Sequence, residues 1–144
     1  EVDAVYGGEM SAHHYFRDFM YCDSGMIPWL MVAEYVSTTG RALGDLVAGA
    51  RAAYPSSGEI NFRLAEPEAA RAAFEARYVA QAVDVDRLDG LSLTFQGWRA
   101  NLRASNTEPV LRLNVEAEGD AGLVAEKVAE IGALIADAGG AGVA

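Results

Sequence analysis

The sequence predicts an α+β C-terminal domain, with a mostly antiparallel four-stranded sheet and two helices, preceded by the end of an α/β domain. Three observations lead there. Apolar and polar residues alternate at Ile60-Phe62-Leu64, Leu91-Leu93-Phe95 and Leu111-Leu113-Val115, the two-residue period of half-buried strands. Two segments of the same half, opening at Pro67 and Asp120, carry apolar residues at helical spacing instead. Between this half and an earlier, mainly helical part stands Tyr54-Pro55-Ser56-Ser57-Gly58, the clearest punctuation in the chain.

Taken in order, Ala4-Val5-Tyr6 reads as the end of a buried strand running into a turn at Gly7-Gly8. The polar loop Glu9 to His14 and the short apolar stretch Tyr15 to Phe19 follow. Ser24 can cap a helix starting near Met26, with Pro28 tolerated in its first turn and Ile27, Leu30, Met31 and Tyr35 at helical spacing. Gly40 ends that helix, and a second one carries Leu43, Leu46, Val47 and Ala50 on one face. So few strands cannot close a core, so residues 1–53 are expected to end a larger α/β domain, with 54–58 as hinge and 59–144 as the second domain.

In the second half the helix from Pro67 has the stripe Ala70, Phe74 and Tyr78, and Asp89-Gly90 forms a turn. A strand runs from Trp98 to about Leu102. Asp120 caps a last helix bearing Leu123, Val124, Val128, Ile131, Leu134 and Ile135. Asp84, Asp86 and Asp89 read as a solvated loop, and Gly139 to Ala144 as a frayed end. Adjacent strands with only two helices favour an antiparallel sheet with helices on one face.

Composition narrows the function. The 144 residues hold 11 basic and 21 acidic side chains, a net charge of −10, which argues against a nucleic-acid partner. The single cysteine, Cys22, allows no intrachain disulfide and no CxxC pair, so a reducing, cytoplasmic setting is expected. The longest nearly apolar stretch, Gly25 to Ala33, is far short of the ~20 residues that span a bilayer, so no membrane partner is expected. A chain beginning at Glu1, without an initiator Met, is read as a piece of a longer protein.

Two loops carry the candidate chemistry. Arg103-Ala104-Ser105-Asn106-Thr107-Glu108-Pro109 joins two strands and concentrates polar side chains. The Arg103 guanidinium matches phosphate geometry, Ser105 and Thr107 bring hydroxyls, and a tight turn through Ser105, Asn106 and Thr107 aims backbone N–H groups at one anion. Glu108 is expected to hold Arg103 from behind. An ordinary hairpin loop rich in turn formers accounts for the same residues, and the phosphate-type donors beside an Arg tilt the balance. In the second loop Glu9 and Ser11, two residues apart, set a carboxylate beside a hydroxyl on one side of an extended segment, a pair suited to vicinal sugar hydroxyls. His13 and His14 are adjacent in sequence, which disfavours a shared metal ion. His13, whose ring titrates near pH ~6.5 when unperturbed, is a candidate general acid or base.

Gly8-Glu9-Met10-Ser11-Ala12-His13 resembles the sugar-binding loop of the α-D-phosphohexomutases, and Arg103 to Pro109 resembles their phosphate-binding loop. His13 to Phe19 and Asp23 to Trp29 are similar to the bacterial phosphomannomutase type, and the resemblance runs from Tyr6 through the final helix. A Met after the loop's Glu and an Asn before the Thr point to phosphomannomutases or phosphomannomutase/phosphoglucomutases. Ala12 stands where many relatives have Gly, and an Ala calls for ordinary backbone there.

The resemblance implies the end of the third and all of the fourth of four domains around a cleft. Glu9, Ser11 and His13 would bind the sugar, and Arg103, Ser105, Asn106 and Thr107 the phosphate, with Gly8, Met10 and Glu108 in support. It implies an intact enzyme that interconverts mannose 6-phosphate and mannose 1-phosphate, with the glucose phosphates as further substrates. A phosphoserine and a hexose 1,6-bisphosphate intermediate would carry the phosphoryl group, and Mg2+ would be held by N-terminal domains outside this chain. The chain alone is then expected to be inactive. The alternative expectation is a non-enzymatic anion-binding or self-associating module.

Overall fold

The computed structural model describes residues 3–9, 11–105, 108 and 110–143. They fall into two compact units, Glu1–Gly49 and Ala50–Ala144.

In the first unit β1 (Tyr6–Gly8) pairs antiparallel with β2 (His14–Phe16), placing Gly7 opposite Tyr15 and Gly8 opposite His14. Gly7 and Gly8 therefore lie in a strand rather than a turn, and β1 is largely exposed rather than buried. At Gly8 a Cβ would stand 2.5 Å from the Tyr6 hydroxyl oxygen, so a larger residue there would have to turn the Tyr6 side chain aside. The reversal falls at residues 9–12, where the Ala12 N–H donates to the Glu9 carbonyl at 3.0 Å and Ala12 has φ 64. Ala12 is thus left-handed, against the ordinary backbone expected of it, because the loop closes on that bond.

A short 3-10 turn, Arg17–Phe19, leads to Met20 and Tyr21 at φ 56 and 55. Two successive left-handed residues swing the chain back, and Asp23 forms an antiparallel bridge with Tyr15. Helix α1 (Met26–Thr39) follows, with the Ser24 hydroxyl accepting from the Ile27 N–H at 3.4 Å. Gly40, at φ 66, donates to the Val36 carbonyl and ends it. Helix α2 (Leu43–Ala53) runs across the division between the units. Neither helix buries a residue, and Met26, Trp29, Leu30 and Met31 are exposed.

The second unit is a six-stranded sheet in which every neighbouring pair is antiparallel. In chain order its elements are β3 (Ile60–Arg63), α3 (Pro67–Tyr78), β4 (Asp84–Asp86), β5 (Leu91–Phe95), β6 (Trp98–Ala104), β7 (Val110–Ala117), α4 (Ala121–Asp137) and β8 (Ala141–Val143). The spatial order of strands is β4-β5-β6-β7-β3-β8. The four expected strands form its centre. Two edges were not expected. Asp84 and Asp86 flank half-buried Val85 in a strand, not a solvated loop, because Val85 reaches the core while both carboxylates stay in water. The chain end, expected to fray, supplies β8, because the free edge of β3 offers unpaired backbone groups to Ala141–Val143.

One side of the sheet is apolar across β4, β5, β6, β7 and β3, and α3 and α4 close over it with Ala70, Phe74 and Tyr78 and with Val124, Ile131 and Ile135. Leu91, Leu93, Leu102, Leu111 and Leu113 are fully buried there. Each contributes about 1.5–3 kcal/mol of burial free energy. Asp120 caps α4, accepting from the Leu123 N–H at 2.9 Å. Residues 53–58 lie along β7. The Ser57 N–H donates to the Val115 carbonyl at 2.8 Å, Ala117 to Pro55 at 3.1 Å and Gly119 to Ala53 at 2.8 Å, while Ser56 bridges Glu116. Among the described residues no helix is long and apolar enough to cross a membrane.

Candidate functional site

The β1–β2 hairpin displays the first cluster at its tip. Glu9 sits between two donors: the Tyr15 hydroxyl donates to its Oε1 at 2.8 Å and the Ser11 hydroxyl to its Oε2 at 3.3 Å. The structure thus brings Glu9 and Ser11 together as their spacing suggested. Tyr15, which sequence reasoning missed, anchors the carboxylate from β2. Its phenol is held above its ordinary value, first by that hydrogen bond to Glu9 and then by burial and the Glu9 charge.

The two adjacent histidines part company. His13 Nδ1 lies 2.6 Å from Asp23 Oδ2, and its ring stacks on Tyr15 with centroids 6.5 Å apart. His14 Nδ1 lies 2.7 Å from the Tyr6 hydroxyl, on a ring stacked with Tyr6. Asp23 holds both neighbours, because its Oδ1 accepts from the His14 backbone N–H at 2.9 Å. The hydrogen bond and then the charge of Asp23 raise the His13 pKa. The same bond, followed by the His14 N–H, holds the Asp23 carboxyl below its ordinary range. Met10 lies outside the described residues.

The second cluster stands where β6 gives way to β7. Arg103 and Arg112 are register partners across these strands, two cations directly opposite one another. Such an arrangement is unfavourable unless something lies between them. Glu59 does: its Oε2 is 3.4 Å from Arg103 Nη2 and its Oε1 is 3.5 Å from Arg112 Nε. At the rim Asp89 approaches Arg103 Nη1 at 3.6 Å, and Glu108 approaches Arg112 Nη2 at 3.5 Å. Glu108 therefore supports Arg112 rather than Arg103, whose head is taken by Glu59 and Asp89. Ser105 closes the hairpin, donating its N–H to the Val110 carbonyl at 2.9 Å, and its hydroxyl accepts from the Glu108 N–H at 3.3 Å. Asn106 and Thr107 lie outside the described residues.

Sequence reasoning missed Arg112 and Glu59. The alternation in β7 puts Arg112 on the polar side between Leu111 and Leu113, and a hairpin register would have paired it with Arg103. Chemically this is a pre-positioned pair of planar donor forks beside a hydroxyl, the equipment that grips a phosphate bidentately.

Comparison with known proteins decides the family. The model for the C-terminal domain of phosphoglucomutase/phosphomannomutase matches residues 59–134, and that for its alpha/beta/alpha domain III matches residues 1–54. The chain belongs to the phosphoglucomutase/phosphomannomutase family. It is 64% identical over 129 residues to a phosphomannomutase of Salmonella montevideo, covering 90% of this chain and 28% of that protein. A phosphomannomutase of Escherichia coli strain K12 is 62% identical over 122 residues, 85% of this chain and 27% of that protein. A solved phosphoglucomutase/phosphomannomutase family protein from Burkholderia thailandensis superposes with a TM-score of 0.63 at 27% identity, over 89% of this chain and 28% of that one. The chain thus spans under a third of the length of the curated relatives it matches. Among the described residues no three His, Cys, Asp or Glu side chains are grouped to hold a metal ion.

Proposed function

We propose that this chain is the substrate-binding C-terminal part of a phosphohexomutase of the phosphomannomutase type, with mannose phosphates as substrates and the glucose phosphates accepted beside them. The facing guanidiniums of Arg103 and Arg112, braced by Glu59 beside Ser105, carry the reading. They grip the phosphate that does not react, and that phosphate is the handle orienting the sugar. Phosphoryl transfer is mostly positioning and charge stabilisation, so such a handle contributes directly to rate. Asn106 and Thr107 extend the same grip.

Glu9 and Ser11 bind the sugar's 3- and 4-hydroxyls, acceptor beside donor. Because those hydroxyls exchange places when a hexose 1,6-bisphosphate turns over, one site reads both orientations. His13 moves the proton of the hydroxyl that gains or loses phosphate. The phosphoserine and Mg2+ belong to the first two domains of the longer cytoplasmic protein, and no residue here is assigned to either. On this reading 1–53 close the third domain, 59–144 form the fourth, and 54–58 join them. A swing of the fourth domain carries residues 53–58 with it, because they are hydrogen-bonded along β7.

Titration of the chain with mannose 1-phosphate or inorganic phosphate tests the grip. Amides of residues 103–107 and 112 are expected to shift, with weak affinity because sugar and phosphate contacts lie on separate domains. Silence at millimolar ligand refutes the binding role. Mutase turnover by this chain alone refutes the domain assignment. The exposed apolar side chains of α1 favour a second reading, a self-associating module. Sedimentation of the chain against residues 55–144 separates the two, since a surface artefact of α1 vanishes with the first unit.

A further inference from the structure

We propose that Asp23 is a positioning residue for His13, fixing Nδ1 as the protonated nitrogen so that Nε2 meets the sugar hydroxyl; this rests on the reading of His13 given above. Several features of the chain converge on the Asp23 carboxylate. Its backbone bridges Tyr15, its Oδ1 accepts from the His14 N–H at 2.9 Å, and its Oδ2 takes the His13 ring nitrogen at 2.6 Å. The approach to it is strained, since Met20 and Tyr21 both adopt left-handed backbone without being glycine. Strain of that kind persists where the surroundings over-determine it and collects at functional sites. Here its product is the return of Asp23 to the hairpin tip.

Among the described residues the rest of the cluster leaves His13 Nε2 without a hydrogen-bond partner. Tyr15 stacks on its ring and limits the plane, and Tyr15 is tied in turn to Glu9. His14 is occupied by Tyr6 and does not compete for Asp23 through its ring. The titratable groups facing His13 are Asp23 and Glu9, with the Tyr15 phenol neutral at working pH. A carboxylate on Nδ1–H fixes the tautomer and stabilises the imidazolium that forms when Nε2 takes a proton.

The proton balance is simple. The O–H bond of the attacking sugar hydroxyl breaks and an Nε2–H bond forms, and the oxygen's freed pair makes the new O–P bond as the bond from phosphorus to the donor's own oxygen breaks, that oxygen leaving with its electron pair. In the reverse direction Nε2–H returns its proton to the oxygen leaving phosphorus. Asp23 stays a carboxylate in both.

Nitrogen-15 NMR of the His13 ring in this chain, with Asp23→Asn beside the wild type, tests the positioning. The neutral wild-type ring is expected as the Nδ1–H tautomer, titrating above the ordinary imidazole value. Asp23→Asn keeps an oxygen for the His14 N–H but is expected to turn the ring to Nε2–H and to lower its titration, since the hydrogen bond and charge that raise it are gone. In the longer enzyme the same variant should lose about 10²–10³-fold in kcat with KM changed less than about threefold, and its acid limb should move to lower pH. Asp23→Glu should recover part of that loss. A wild-type ring found as Nε2–H overturns the proposal whatever the variants do, and so does an unchanged tautomer in Asp23→Asn. A tautomer that turns while turnover stays normal instead overturns the assignment of proton transfer to His13.

Discussion

Gly90→Ala is the substitution whose cost the structure sets most directly. Gly90 has φ 75, and a Cβ built on it would stand 2.5 Å from Arg103 Cβ, 2.6 Å from the Leu102 carbonyl oxygen and 2.8 Å from Arg103 Cα. Two of those three atoms are backbone of β6, so no side-chain rotation relieves the contact. Left-handed backbone costs an alanine roughly 1–2 kcal/mol, and forced displacement in a packed region adds about 1–3. The total is about 2–5 kcal/mol. Gly97→Ala separates the two contributions: Gly97 has φ 83 but nothing stands within 4 Å of its Cβ position, so only the backbone part applies. At roughly 5 °C per kcal/mol for a unit of this size, Gly97→Ala should lower Tm by about 5–10 °C and Gly90→Ala by about 10–25 °C. Because the displaced residue is Arg103, Gly90→Ala should also weaken phosphate binding while Gly97→Ala leaves it unchanged. Circular-dichroism melts with a parallel phosphate titration read both. Melting of the two variants within 2 °C of each other would refute the close-approach reasoning.

Glu59→Gln leaves Arg103 and Arg112 opposed without the shared carboxylate. Two contacts of 3.4 and 3.5 Å, partly open to water, set the loss at about 1–2 kcal/mol at low salt. The deficit should shrink in about 0.5 M salt, and a Tm difference equal at both ionic strengths counts against it. Ala12→Gly relieves left-handed strain at φ 64 and should slow amide exchange in residues 9–13, with a net gain below about 1 kcal/mol once the freer unfolded chain is counted. Faster exchange is the contrary result. The hairpin tip should also show a pH window. The raised His13 pKa gives stability that is full below the ordinary imidazole value and lost as pH rises through the raised one. The lowered Asp23 pKa gives stability present above the ordinary carboxylate value and lost as pH falls through the lowered one. Both hold together between about pH 4 and 6.5, where the protection of the His14 amide, its exchange rate relative to the free peptide at the same pH, should be greatest.

The central strands were legible because each has one wet and one dry side, so Leu91-Leu93-Phe95 or Leu111-Leu113-Val115 write the period into the chain. Edge strands write little. Asp84-Val85-Asp86 holds a single apolar residue, and Ala141–Val143 forms only because β3 leaves an edge open. The same contrast separates the site residues. Glu9 and Ser11 are two apart on one loop, so spacing alone joined them. Asp23 lies ten residues beyond His13 and reaches it only through two left-handed residues that are not glycine. Glu59 is 44 residues from Arg103 and sits beside a segment that reads as a linker, and its partnership exists only once β3 has paired with β7.

Charge and apolarity both misled at the level of totals and informed at the level of placement. A net charge of −10 describes the surface, yet the proposed anion site needs only Arg103 and Arg112, with Glu59 keeping them side by side. Apolar patterning behaves likewise in the first unit. Ile27, Leu30, Met31 and Tyr35 recur at helical spacing along α1, yet the helix buries none of its residues. A stripe like that stabilises a helix only against an apolar partner, and three-residue β1 and β2 are too small to be one. Spacing along a helix thus marks the helix without marking what covers it, which is why the helices were easy to find in the sequence and their burial was not.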